Sequence, residues 1–175
     1  MLLRRLQSED AEDWWRAEAA ERLADLGAVE AIPILIEMVR DDGGLAWVPP
    51  AIAEFGETGL RALTDELRNS DVEIRRKALD AFASLGARGL PVLDEVITAT
   101  RDTDPAVRQR AIYALEEIGA PLDSFALVLV ERFLDPDDDT AGVAFSALVD
   151  LPAHVVIAKL SGLVATAGTG RVRVL

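Results

Sequence analysis

The chain of 175 residues has no cysteine, a single histidine (His154) and only two lysines, Lys77 and Lys159. Each shortage removes a class of chemistry. Without cysteine there are no disulfides, no thiolate metal sites and no thiol nucleophile. One histidine cannot build a multi-histidine metal centre. The lysines follow no Gly-x-x-x-x-Gly phosphate loop, and neither a Gly-x-Ser-x-Gly elbow nor a His-Glu-x-x-His pair occurs. Basic residues are also scarce: 18 Lys and Arg stand against 31 Asp and Glu, a formal charge of -13. That balance speaks against nucleic acid, whose phosphates need a basic face, and against an anionic membrane surface. The apolar stretches Phe125 to Val130 and Val155 to Ala158 fall far short of the roughly 20 residues a membrane helix needs. The start Met1-Leu2-Leu3-Arg4-Arg5 reaches charge too soon for a secretion signal. The expected location is the cytoplasm.

What the chain does have is repetition. Ala78, Phe82, Leu85 and Gly86, preceded by Arg75, recur as Ala111, Leu115, Ile118 and Gly119, preceded by Arg108. The same spacing holds for Arg16, Ala19, Leu23, Leu26 and Gly27, with looser copies ending at Gly56 and Pro152. Such a period marks a repeat architecture. Within each unit, apolar positions at i, i+4 and i+7 form one stripe of an amphipathic helix. A glycine then ends that helix, because only Gly takes the left-handed cap conformation cheaply. A second apolar run follows, over 32–39, 60–67, 90–97, 122–134 and 155–164. Pro33, Pro91 and Pro121 fall near its start, where a missing N–H does no harm. Asp71 and Asp104 stand where N-caps of the next first helix belong. In the second unit Pro49-Pro50 predict a shortened first helix, approached through Gly43-Gly44. Only the tail Arg171 to Leu175 alternates like a strand.

The motif Asp71-x-x-x-Arg75-x-x-Ala78, its copy Asp104-x-x-x-Arg108-x-x-Ala111, and the closing Leu/Ile-Gly resemble HEAT-like repeats of the phycobilisome-lyase type. The resemblance implies an all-α, right-handed superhelical solenoid of about five helical hairpins. First helices would lie on its convex side and second helices would line its concave side. It also implies that Asp71, Arg75, Asp104 and Arg108 form a structural ladder between repeats. The expected organisation is one domain over 1–165, with repeats at 11–42, 43–70, 71–102, 103–136 and 137–165, and a tail at 166–175.

Function in such arrays resides on an extended surface rather than in a reaction pocket. Aligning the second helices by their preceding glycines puts Leu63, Leu67, Leu93, Ile97 and Val130 on the packing stripe. Asp65, Arg68, Asp94, Glu95, Thr98 and Glu131 then fall on the other face, which is mostly acidic, with Leu127 among them. The corresponding expectation is a non-catalytic scaffold for a protein or peptide partner of basic character, with no cofactor and no metal. The alternatives are a subunit of a bilin-lyase or chaperone complex, and an acidic inhibitor or immunity-type protein. Trp14 and Trp47 are candidate aromatic contacts, whereas Trp15, aligned with Ile74 and Val107, is expected in the core. Leu127 and Val128 make the fourth second helix apolar nearly all round. Ile157, Leu160, Leu163 and Val164 do the same for the fifth. Such a face needs a cover, whether the tail from Thr166 folding back, a second copy or a partner, and the chain is expected as a monomer or as a homodimer through its last repeat. His154 has no nucleophile or orienting partner nearby and is expected to be structural or solvated. The acidic run Asp135 to Asp139 invites a calcium reading. However, Gly142 comes too late and no glutamate closes the loop, so it is expected to join two helices and load the next N-terminus with negative charge.

Overall fold

Asp71, Asp104 and Asp137 each sit in extended conformation just ahead of a helix, and each carboxylate accepts a backbone N–H of the first turn, from Glu73, Ala106 and Thr140 respectively. Capping of this kind satisfies donors that a helix start leaves orphaned. At the other ends Gly27, Gly56, Gly86 and Gly119 all have positive φ, between 54° and 72°. Helix starts and stops therefore recur with the sequence period.

The computed structural model describes residues 1–8, 12–41 and 46–171, with side chains to residue 162. The helices are α1 (Leu2–Leu6), α2 (Asp13–Asp25), α3 (Ile32–Arg40), α4 (Val48–Glu54), α5 (Gly56–Asp65), α6 (Val72–Leu85), α7 (Leu93–Ala99), α8 (Pro105–Ile118), α9 (Leu122–Arg132), α10 (Asp138–Val149) and α11 (Ala153–Arg171). Short 3-10 segments cover Val29–Ala31, Glu66–Arg68 and Gly86–Val92. No strand occurs among the described residues. The chain forms two units, Met1–Gly119 and Ala120–Leu175, so the boundary falls at a glycine cap inside the fourth expected repeat.

In the first unit α2, α4, α6 and α8 stack successively, and α3 and α5 pack beside them as the second layer, continued by Gly86–Val92. Leu35, Ile52, Leu63, Leu79, Phe82, Ile112 and Leu115 are fully buried between them. The proline pair begins α4, preceded by Trp47 at the N-cap, where proline's fixed φ suits the first turn. Gly43 and Gly44 lie outside the described residues. The turn from α4 into α5 depends on Gly59, since a Cβ there would overlap the Ile52 carbonyl oxygen.

In the second unit α10 and α11 both pack on α9. Phe125, Ala126, Val128, Leu129 and Val130 are buried, so Val128 does not add to an exposed apolar face. Lys159 pairs with Asp123 at 2.7 Å. His154 is exposed near the start of α11. The stretch from Thr166 does not fold back but prolongs α11 to Arg171. Val172 to Leu175 lie outside the described residues, as do the side chains of Leu163 and Val164. No described helix is long and apolar enough to cross a membrane.

Two further expectations fail for local reasons. Leu67, Leu93 and Ile97 are only half-buried, while Val92, Val96 and Ala99 take the buried positions. The segment before α7 is wound as a 3-10 helix, whose 3.0 residues per turn rotate the stripe away from the α-helical phase. Trp15 is 39% exposed instead of buried. Its ring centre lies 4.3 Å from that of Trp14, the planes tilted by 34°, and 5.0 Å from the Arg5 guanidinium of α1.

Candidate functional site

The charged residues of the first unit fall into two groups, one holding the repeats together and one facing solvent. In the first group, Arg75 forks onto Asp102, Nε to Oδ2 at 2.9 Å and Nη2 to Oδ1 at 2.8 Å. Its Nη1 donates to the carbonyls of Asn69 and Ser70 at 2.9 and 3.3 Å. The Asp102 carboxyl is pushed up by burial, but the bonds from Arg75 and from the Asp104 N–H outweigh this and hold it below the usual carboxylate range. The Arg75 guanidinium is in turn pushed up, chiefly by its bond to Asp102. Arg40 makes an equivalent fork on Glu66, at 3.0 and 2.8 Å, and its bond to Glu66 likewise pushes its guanidinium up. Planar two-point pairing of this kind fixes geometry as well as charge.

The ladder thus has a different carboxylate from the expected one. Asp71 and Asp104 cap helices, and Asp102 receives Arg75. Arg108 repeats the backbone part, Nη1 reaching the carbonyls of Asp102 and Thr103 at 3.0 and 3.2 Å. A sequence signal for Asp102 existed. Asn69, Asp102 and Asp135 recur two residues ahead of each capping aspartate, and each accepts that aspartate's N–H, at 3.0, 2.9 and 3.1 Å. In the acidic run, Asp135 also takes Arg132 at 3.1 Å, Asp137 caps α10, and Asp138 and Asp139 sit in its first turn. Among the described residues no cluster of His, Asp or Glu could hold a metal ion.

The second group surrounds two adjoining grooves between the α5 end and the α7 segment. One, of about 470 Å³, is lined by Thr64, Leu67, Arg68, Glu95, Thr98 and Arg101, and Arg75 and Asp102 of the first group also reach its wall. Its neighbour adds Glu57, Arg61 and Asp65 and shares Thr64, Arg68 and Glu95. The grooves therefore gather Asp65, Arg68, Glu95 and Thr98. Asp94 is exposed on the first turn of α7 but lines neither. Arg61 and Arg101 were not foreseen, and they place cations among the acids. Asp65 and Arg68 meet only at 3.4 Å with both side chains about two-thirds exposed (67% and 68%), a contact of little energetic weight. Thr98 donates its hydroxyl to the Asp94 carbonyl at 2.9 Å.

The remaining candidates lie elsewhere. In the second unit, Leu127 of α9 is 41% exposed and Glu131 is half-buried. Trp14 is exposed and its indole N–H donates to Glu12. Trp47, the other candidate aromatic contact, is less open. It is half-buried, its indole nitrogen is enclosed without a partner among the described residues, and Arg16 lies 5.7 Å from its ring centre.

A family model described as HEAT repeats matches residues 60–172, well over half the chain. The chain belongs to the HEAT-repeat family. A second model, the PBS lyase HEAT-like repeat, matches residues 15–41. Similar solved structures include the crystal structure of an engineered protein from a structural genomics consortium. It is 17% identical, with 82% of this chain and 76% of that one covered and a TM-score of 0.50. Another is a designed armadillo repeat protein in complex with a (KR)4 peptide, 16% identical, with 82% and 77% covered and a TM-score of 0.46. No curated protein matches the sequence significantly. HEAT-type repeats generally serve as protein-binding scaffolds and are typically non-catalytic, their stacked helices presenting extended surfaces.

Proposed function

We propose that this HEAT-repeat chain is a binding scaffold whose protein or peptide partner docks along the α5–α7 grooves. In this reading Asp65, Arg68, Glu95 and Thr98 make the contacts, and Asp94 extends them at the rim. The observation that carries it is the division of labour among charges. Arg40, Glu66, Arg75 and Asp102 are consumed in bidentate pairs, whereas Asp65 and Arg68 stand largely exposed beside an open groove. A solvated pair held that loosely can be exchanged for a partner's charges at little cost. The chain's excess of 13 negative charges favours encounter with a basic partner, because the summed field steers opposite charge toward the surface.

Two fluorescent peptides of equal length, one rich in Lys and Arg and one rich in Asp and Glu, test this by anisotropy. The basic peptide is expected to bind, to weaken as salt rises, and to lose at least tenfold in affinity on combined Asp65→Lys and Glu95→Lys substitution. Equal binding of the acidic peptide, or binding that survives the charge reversal, would overturn the assignment.

A further inference from the structure

Helix α10 repeats the register of α6 and α8 at an interval of 33 residues, each opened by its own capping aspartate. Ala78, Ala111 and Ala144 occupy one equivalent position and are all fully buried. The next position holds Leu79, Ile112 and Phe145. Leu79 and Ile112 are 0% and 1% exposed, but Phe145 is 55% exposed. Val149, one turn further on, is also exposed. The position that the repeat uses for stacking is therefore filled by a large, mostly exposed aromatic, whose ring centre lies 5.9 Å from that of Phe133 with the planes tilted by 34°.

Three features identify what fits there. First, α10 carries no charge from Thr140 to Val149, in a chain whose net charge of -13 opposes self-association everywhere that charges would meet. Second, Gly142, Phe145, Ser146 and Val149 share one face at i, i+3, i+4 and i+7, and that face is self-complementary. A twofold axis between Phe145 and Ser146 sets Phe145 of each helix against the other's Ser146, and Val149 against Gly142, where a Cβ would meet nothing within 4 Å. Large then opposes small at every layer, as close packing requires, and the same patch serves both partners, as a twofold interface demands. Third, the stretch from Thr166 does not turn back over this face, because α11 continues to Arg171.

We propose that the exposed face of α10 is a homodimer interface, pairing antiparallel with α10 of a second copy around Phe145. Because each copy brings a large negative charge, and Asp138 and Asp139 of one helix approach Asp150 of the other, association strengthens as salt screens them. This is opposite in sign to capture of a basic partner in the α5–α7 grooves, and it does not depend on that reading.

The test is the mass of the full chain by light scattering and sedimentation up to about 200 µM, a concentration suited to an interface at the small end of the usual range. It is run at about 0.01 M and about 1 M salt, where the screening length falls from about 30 to about 3 Å. The expected result is a species of twice 18.9 kDa that is favoured at high salt. Phe145→Asp should weaken it at least tenfold, while helicity, and the melting temperature at concentrations where both chains are monomers, stay unchanged. A single Ser146→Cys, in a chain with no other cysteine, should form a disulfide-linked dimer on oxidation, whereas Glu21→Cys on α2 should not. A monomer under all these conditions, or a dimer untouched by Phe145→Asp, would overturn the proposal.

Discussion

Helices α6 and α10 begin alike and end in different surroundings. Both open on an aspartate that caps the first turn, and both bury an alanine at the same register, Ala78 and Ala144. Yet α6 lies between α4 and α8, with Leu79, Phe82 and Leu85 enclosed, while α10 leaves Phe145 and Val149 open to solvent. Local signals decide whether a helix forms and where it stops. Its neighbours decide what its apolar positions are for. The same residue class at the same repeat position is core in one unit and surface in the other.

The largest expected effect breaks that comparison at its buried end. Leu79→Ala removes a side chain with no exposed surface and should cost about 2–5 kcal/mol, a large share of a domain's stability of about 5–15 kcal/mol. Chemical denaturation should show an earlier midpoint with an unchanged slope.

The next effect concerns the rung between repeats. Asp102→Asn leaves Arg75 with carbonyls alone and should cost about 2–3 kcal/mol at neutral pH, below the full penalty of a deeply buried pair because some solvent reaches it. Asp102 has its carboxyl held low in the folded state. Its stabilisation is therefore complete above the ordinary aspartate value near 3.9 and is lost as the pH falls through the folded value. The stability gap between the parent and Asp102→Asn should be constant from neutral pH to about 5 and close in stronger acid. Urea titrations across that range would show it; a gap that widens in acid would mean the carboxylate is not what Arg75 holds.

The smallest effect lies at the open end. Phe145→Ala, at the register of Leu79, should shift stability by no more than about 0.5 kcal/mol at concentrations where the chain is a monomer, as for an exposed site. A loss comparable to that of Leu79→Ala would mean that α10 is enclosed within its own chain.

These contrasts also mark how far the amino-acid pattern reaches. The glycine stops, the aspartate caps and the proline start of α4 were legible because each is a local backbone requirement. The all-helical repeat class followed from their common spacing. The burial phase of α7 was not legible, because the 3-10 winding of Gly86–Val92 depends on tertiary packing rather than on its composition. Trp15 was misplaced because its register position is not uniformly core: Val107 is buried, but Ile74 is only half-buried. On the candidate site, Asp65, Arg68, Glu95 and Thr98 could be read from their facing positions, whereas Arg61 and Arg101 enter the grooves through the offset between adjacent segments. The Asp102 rung was hidden by a more conspicuous aspartate two residues later.

The proposed division assigns Arg75 and Asp102, which also reach the groove wall, to stability, and Asp65 and Glu95 to docking. Its most direct measurement is the melting temperature of the combined Asp65→Lys and Glu95→Lys variant, taken alongside its affinity for the basic peptide. Binding should fall at least tenfold with melting unchanged within about 1 °C, since Asp65 is exposed and Glu95 only half-buried. A fall in melting temperature as large as that of Asp102→Asn would show that these side chains hold the repeats together, and would contradict it.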